Sequence, residues 1–341
     1  MKKTILDIND YLKNKTFNLD NNFILDKKTN TKINVLNANK RQLIDLNKTY
    51  NFSSLLTTNS SKLEKSKKIL NINTVGLSLA PHITNKIDEL KLFIDLNKLI
   101  NKQKNQIITL CGNSNKHCRI NCVSFECGNP AYEKNKKNAM YNRKLFFLND
   151  TQLFLANFIR HLILYSDYCI NNNLIMSVRP NISSDINYEN IKVIYQNKLT
   201  TMDKIIFNII NKTDRLKDFK PIPYDYTKNY NRKQSSIYHK VFSYGTNDIE
   251  KPLQAIKNGL SLAIVVNVAR NKPLPSTIKI KNKVLNAFDG DTIDYLPHWK
   301  RNKPNAILLR FKYRAKWNKQ KREIELQKAI NGGFVKDINT L

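Results

Sequence analysis

Apolar residues recur along this chain in short strand-length runs, separated by longer stretches at helical spacing, and the first fifty residues do not share that rhythm. Residues 1 to about 50 are polar and rich in Asn and Lys, with only brief apolar groups such as Phe23, Ile24 and Leu25. They read as a loosely ordered extension with one short helix over 38–47. From "LLTTNSSKLEKS" onward the pattern tightens. "NTVGLSLAP" at 73–81 predicts a strand ending at Pro81. Residues 83–103 place Ile83, Ile87, Leu90, Phe93 and Leu96 at helical spacing. The stretch "NRKLFFLNDTQLFLANFIRHLILYSDYCI" predicts one or two amphipathic helices. Asp150 is the N-cap of the second, and Leu153, Phe154, Phe158, Leu162 and Ile163 lie on its buried face.

The rhythm continues in "LIMSVRP" (174–180), "FKPIPYDYT" (219–227), "IYHKVFSY" (237–244), "LSLAIVVNVA" (260–269), "KVLNAFDGD" (283–291) and "AILLRFKYR" (306–314). Helical stretches fall at 200–211 and 248–258, the second followed by Gly259 as a C-cap glycine. Alternation of strand and helix predicts an α/β fold with mainly parallel strands. The expectation is a partial or open (β/α) barrel over 51–316, with the polar extension at 1–50 and a basic helix and tail at 317–341. A doubly wound sheet fits the same pattern.

Hydrophobic residues make up 41% of the 341, enough for a globular core. The 58 Lys and Arg outnumber the 27 Asp and Glu, for a formal charge of +31. Such a surface favours phosphate-rich partners, nucleic acid first among them. The prevalence of Lys, Asn and Ile also follows from AT-rich codon usage, so the charge alone defines no site. No stretch approaches the roughly 20 apolar residues of a membrane span. "MKKTILDINDYLKNK" is interrupted by Asp7, Asp10 and Lys13, which argues against a secretory signal. The expected compartment is therefore reducing, with no disulfide-linked partner.

Four of the five cysteines fall within "CGNSNKHCRINCVSFECG", residues 111–128. Cys111, Cys118 and Cys122 form C-x6-C-x3-C, and Cys127 extends the series. Three thiolates suit a four-iron cluster with one open iron, and four suit tetrahedral zinc. His117 offers a fourth zinc ligand, although the paired C-x2-C of zinc ribbons is absent. Inert thiols are the remaining alternative. Cys169, on a predicted helix among apolar residues, reads as core.

The ordered set "LLTTNSSKLEKS", "GLSLAPH", C-x6-C-x3-C, "NRKLFF", "VRPNISSDINYE", "YDYTK" and "DGD" resembles the phage gene product 88 family over about residues 53 to 316. The resemblance implies a phage origin, the cytoplasm of a host cell, and a family triplet of Cys111, Cys118 and Cys122 with Cys127 extra. It supplies an identity rather than an activity. Where the family shows "VRLNGTSD", this chain carries Pro180 and Ile182 in place of the leucine and glycine and keeps Ser184 and Asp185. A cysteine triplet after the first strand of a repeated strand–helix unit is also similar, at the level of fold, to radical S-adenosylmethionine enzymes. Their C-x3-C-x2-C spacing is not found here.

Other candidates sit at predicted strand ends, where α/β sheets bind ligands. Arg179, Ser184 and Asp185 follow "LIMSV" and are expected to hold a carboxylate or ribose hydroxyl of a cofactor, or else to form a turn. Tyr224, Asp225 and Lys228 in "YDYTK" offer proton transfer or phosphate contact. His239 and Ser243 share one strand face, as core residues or lumen-facing ones. Asp289, Asp291 and Asp294 read as a turn or a magnesium site. Arg314, Lys316, Trp317 and Lys319 interleave basic and aromatic side chains, as nucleic-acid contacts or a solvated helix face. No P-loop, GxGxxG, GxSxG or HExxH motif occurs. The most concrete expectation is a 4Fe-4S protein using S-adenosylmethionine in radical chemistry on a nucleic-acid-related substrate. The alternative is a nucleic-acid-binding protein with a structural zinc.

Overall fold

The computed structural model describes residues 4–58, 61–81, 106–115, 118, 122, 133–213, 220–293, 295–298, 303–313 and 317–341. The helix expected over 83–103 lies outside the described residues. In chain order the described elements begin with β1 (Thr4–Asp7), α1 (Ile8–Leu12), β2 (Thr16–Asn18), β3 (Phe23–Leu25), β4 (Lys32–Asn34) and α2 (Lys40–Thr49). Next come β5 (Leu56–Thr57), α3 (Ser61–Leu70), β6 (Ile72–Leu77), β7 (Gln106–Thr109), α4 (Glu133–Asn149) and α5 (Thr151–Asn171). They are followed by β8 (Ile175–Arg179), β9 (Lys192–Tyr195), β10 (Lys198–Thr201), α6 (Met202–Asn211), β11 (Tyr224–Thr227) and β12 (His239–Tyr244). The remainder are α7 (Glu250–Lys257), β13 (Ser261–Val266), β14 (Thr277–Ile280), β15 (Lys283–Asp289), β16 (Ala306–Arg310), α8 (Lys319–Asn331) and β17 (Val335–Lys336). The chain divides into two compact units whose segments alternate in sequence. One holds Met1–Thr58, Val75–Gly112 and Asn135–Pro221, the other Asn59–Thr74, Asn113–Lys134 and Ile222–Leu341.

The first unit is built on α5. Asp150 caps it, its carboxylate accepting the Leu153 N–H at 2.9 Å. Phe154, Phe158 and Leu162 are buried as the spacing predicts, and Leu153 and Ile163 are half-buried. Phe154 meets Phe146 and Phe147 edge-on at 5.3 and 5.1 Å. The polar residues 4–50 are ordered within this unit. β1 pairs in parallel with β7, β2 pairs in parallel with β9, and Leu19, Val35 and Leu43 are fully buried. A few apolar anchors at separated positions hold a polar segment that periodicity alone marks as loose. Asn47 bonds Asn157 at 3.0 Å and His161 at 3.2 Å, so α2 is tied to α5 by buried amides as well. Burial pushes the His161 pKa down to about 4, and its imidazole is neutral in that contact.

The second unit carries the main sheet, ordered β11-β12-β13-β16-β15-β14, with β17 also on β13. β11, β12, β13, β16 and β15 are parallel, and β14 closes the edge antiparallel to β15. β13 reads "SLAIVV", an apolar run covered on both faces, as a central parallel strand requires. Ala255, Leu253 and Ile256 of α7 pack against Leu262 and Ile264. The fold is thus mixed α/β with parallel portions. The expected barrel is not found: the strand path ends at β11 and at β14, and no closed barrel occurs among the described residues. The antiparallel pairs β3–β4, β9–β10 and β14–β15 arise where connections are too short for a crossover. Gln196 and Asn197, with φ of 53° and 58°, close β9 onto β10 in a two-residue turn.

Leu262 on β13 is fully buried. Leu262→Ala is expected to cost about 2–5 kcal/mol in urea unfolding. Val284→Thr, at a side 68% exposed, changes stability by less than about 0.5 kcal/mol. Equal midpoints for the two variants would contradict this core.

Candidate functional site

The second unit opens a cleft at the carboxyl ends of β11 and β12. β12 pairs with β13 only as far as Tyr244↔Ile264, and from Val265 onward β17 takes the place beside β13. At this strand end the carbonyls of Ser243, Gly245 and Thr246 accept from side chains. Lys228 Nζ donates to the Ser243 carbonyl at 2.9 Å, Asn115 Nδ2 to Gly245 at 2.5 Å, and Lys336 Nζ to Thr246 at 2.6 Å. Gly245 is required here: a Cβ on it would lie 2.9 Å from Lys228 Nζ and 3.3 Å from the Phe334 ring. Gly333, with φ +71°, returns the chain towards β17, where any side chain would strike the Asn247 backbone.

The cleft measures about 80 Å³ and is lined by Asn113, Asn115, Lys228, Ser243, Thr246 and Lys251, with Tyr230 and Phe242 on its apolar side. Among the described residues, two lysines, two asparagines and three hydroxyl-bearing residues line it, and no carboxylate does. Lys336, beside it, lies 4.3 Å over the Tyr244 ring, and burial pushes its pKa down to about 8. Sequence reasoning found Lys228 and missed Asn113, Asn115, Thr246 and Lys251. The available signal was the N-x-N within the cysteine segment, which drew notice only for its thiols.

Of the residues expected to be catalytic, Lys228 alone lines the cleft. Tyr224 is fully buried and packs edge-on against Tyr295 at 5.5 Å. Asp225, also fully buried, accepts the Tyr238 hydroxyl and lies opposite Lys240 in the register. Arg232 and Lys240 flank the Tyr238 ring at 5.5 and 4.9 Å, so this is an interior polar cluster. His239 is buried with Nδ1 at 2.9 Å from Gln234 Nε2, a satisfied core histidine.

The cysteines divide between the units. Cys118 belongs to the second, where its N–H donates to Asn115 Oδ1 at 2.7 Å and its side chain packs on the Phe334 and Val335 cluster. Cys122 is half-buried in the same unit, and Cys169 is buried on α5 as expected. Cys111 belongs to the first unit, half-buried after β7, with Sγ 3.6 Å from the Ser183 carbonyl. His117 and Cys127 lie outside the described residues. Among the described residues no group of three or more His, Cys, Asp or Glu side chains could hold a metal ion.

Around Cys111 the first unit gathers a buried polar centre. Arg179 at the end of β8 and Ser183, Ser184 and Asp185 in the loop after it are all buried. Asn181 organises that loop, accepting the Ile186 N–H at 2.9 Å and the Ser184 hydroxyl at 2.8 Å. The Asp185 N–H donates to the Leu110 carbonyl at 2.7 Å. Ile182, the chain's departure from the family pattern, fills the space that the absent side chain of Gly76 leaves. Ser184 is thus a loop-former. Asp7 packs against Gly112, and burial raises its pKa, with Asp10 and Asp185 adding to the rise. Lys144 is fully buried, and its pKa is pushed down to about 7 by desolvation, against an opposing pull from Cys111.

The "DGD" segment is a turn closed by ion pairs. Arg310 meets Asp289 at 2.7 Å and Asp291 at 3.7 Å, and Lys312 meets Asp291 at 3.5 Å. Asp294 lies outside the described residues. So do Arg314 and Lys316 of the basic tail. Trp317 is half-buried and Lys319 exposed at the start of α8, where Glu325 pairs with both Lys321 and Lys328.

The model of the family described as Gene product 88 matches residues 54–324. No curated protein and no solved structure matches the chain.

Lys144 generates a pH prediction. Its folded pKa of about 7 lies below the ordinary 10.5, so the unfolded chain binds the extra proton between those values. Stability contributed at this site therefore falls as pH drops from about 10 to about 7, by up to about 1.4 kcal/mol per unit, and levels off below. Lys144→Met is expected to remove that slope in urea unfolding at about pH 7 and about pH 9. Parallel profiles for variant and wild type would refute the burial argument.

Proposed function

We propose, for a chain that belongs to the Gene product 88 family, that it is a nucleic-acid-binding protein whose second unit holds a backbone phosphate in the cleft at the ends of β11 and β12. The observation that carries this reading is the composition of that cleft: Lys228 and Lys251 with amides and hydroxyls, and no carboxylate. An anion with several acceptor oxygens matches such a lining. The position agrees with the general rule that parallel sheets bind ligands at the carboxyl ends of their strands. The formal charge of +31 adds long-range attraction for a phosphodiester chain.

The ammonium of Lys228 is held by the Ser243 carbonyl 2.9 Å away, so its position is set before a ligand arrives. A lysine fixed in this way loses little side-chain entropy on binding.

The test is fluorescence anisotropy of a labelled nucleic acid over a range of salt. Lys228→Gln combined with Lys251→Gln is expected to weaken binding and to flatten the slope of log K against log salt by about 1–2. Lys283→Gln, exposed on the β14–β15 hairpin, should leave both quantities unchanged. A double variant with wild-type affinity and slope would remove the cleft from the interaction.

A further inference from the structure

We propose that the ligand is a single-stranded nucleic acid, with one phosphate in the cleft and the adjoining base stacked on Tyr230. This rests on the phosphate reading above and names its substrate class. Two hollows of the second unit share Tyr230 and Lys251 as common walls. One is the cleft of about 80 Å³, and the other is a wider groove of about 490 Å³. Their charges differ. Among the described residues the cleft has cations and no carboxylate, whereas the wall of the groove balances Lys251 and Lys257 with Asp248 and Glu250.

With its carboxylates offset by Lys251 and Lys257, and Glu250 paired to Lys281 at 2.5 Å, the groove attracts a second phosphate less than the cleft does. It suits a flat neutral group with polar edges. Tyr230 and Leu253 offer apolar surface, and Asn231 and Gln254 offer amides that donate and accept. A nucleobase has that combination of face and edge, and base–aromatic stacking tolerates any sequence.

Tyr230 is prepared for the role. Its ring stands at 83° to Phe242 with centroids 6.2 Å apart, and its carbonyl accepts the Asn258 Nδ2 at 2.8 Å. Lys251 Nζ lies 5.9 Å from the ring centroid and 3.5 Å from Asp248. The ring is half-buried against the core, so its position is largely fixed before a base arrives. In a duplex the bases are stacked inside and a bound phosphate would leave Tyr230 against sugar and backbone. A single strand can present both a phosphate and an unstacked base.

The experiment compares three fluorescent probes by anisotropy: a short oligothymidylate, a duplex of equal length, and an abasic strand with the same number of phosphates. Oligothymidylate is expected to bind about tenfold tighter than the other two. Tyr230→Ala should lower its affinity about tenfold with an unchanged salt slope, since no phosphate contact is lost, and Tyr230→Phe should retain it. Abasic and normal strands bound equally well, with a normal salt slope, would overturn the stacking and leave the phosphate reading standing. Absence of salt-dependent binding to all three probes would overturn both.

Discussion

The hydrogen-bond ladder of β12 ends before the strand's neighbourhood does, and much of the second unit follows from that constraint. A backbone carbonyl that leaves a sheet inside a folded protein needs another donor. Three cases occur here within four residues, at Ser243, Gly245 and Thr246, and the donors are Lys228, Asn115 and Lys336. Two of the three donors are cationic. Satisfying the strand end therefore concentrates positive charge there, and β17, in taking over the edge of β13, supplies one of those cations itself. Glycine at 245 follows from the same arrangement, because a methyl group would crowd the Lys228 ammonium. A structural requirement and an anion site share the same side chains.

The first unit solves its polar problem in the opposite way. Around Lys144 and Asp7, burial drives ionisable groups towards their neutral forms, with Lys144 lowered and Asp7 raised. At His161 the same desolvation leaves a neutral ring bonded to Asn47. Neutralisation avoids the cost of an interior charge but removes the long-range field that attracts a charged ligand. In the second unit the two cleft lysines, Lys228 and Lys251, are half-buried and within reach of solvent, although Lys240 is buried. That contrast is why the phosphate reading attaches to the second unit.

Much of the fold was legible in local pattern. The runs that became β8, β11, β12, β13, β15 and β16 were strand-length and β-branched, and Asp150 and Gly259 marked helix boundaries, Gly259 adopting φ +81°. The parallel portions followed from alternation of strand and helix. What stayed hidden depended on contacts distant in sequence. Nothing local shows that Leu19, Val35 and Leu43 would anchor a polar segment, or that two units would interleave. Nor does "YDYTK" reveal that Tyr224 and Asp225 turn into the interior while Lys228, just beyond the strand, reaches the cleft. Period-two alternation distinguishes two faces of a strand but not which is covered. The cleft draws on segments near residues 113, 228, 243 and 251, so no motif of fixed spacing could display it.

Total charge and local charge have different consequences in this chain. The +31 is spread over many exposed lysines, and several are engaged in short-range surface pairs such as Lys13 with Asp10 at 3.2 Å and Lys48 with Asp45 at 3.8 Å. Pairs of that kind contribute about 0–1 kcal/mol and are screened by salt, so they neither define a site nor hold a geometry. Even the basic α8 has Glu325 between Lys321 and Lys328. The cleft differs in that backbone carbonyls fix Lys228 and Lys336 from one side and no carboxylate lines its walls. Diffuse charge brings a polyanion near the surface, and a cation held by the fold determines where its phosphate comes to rest.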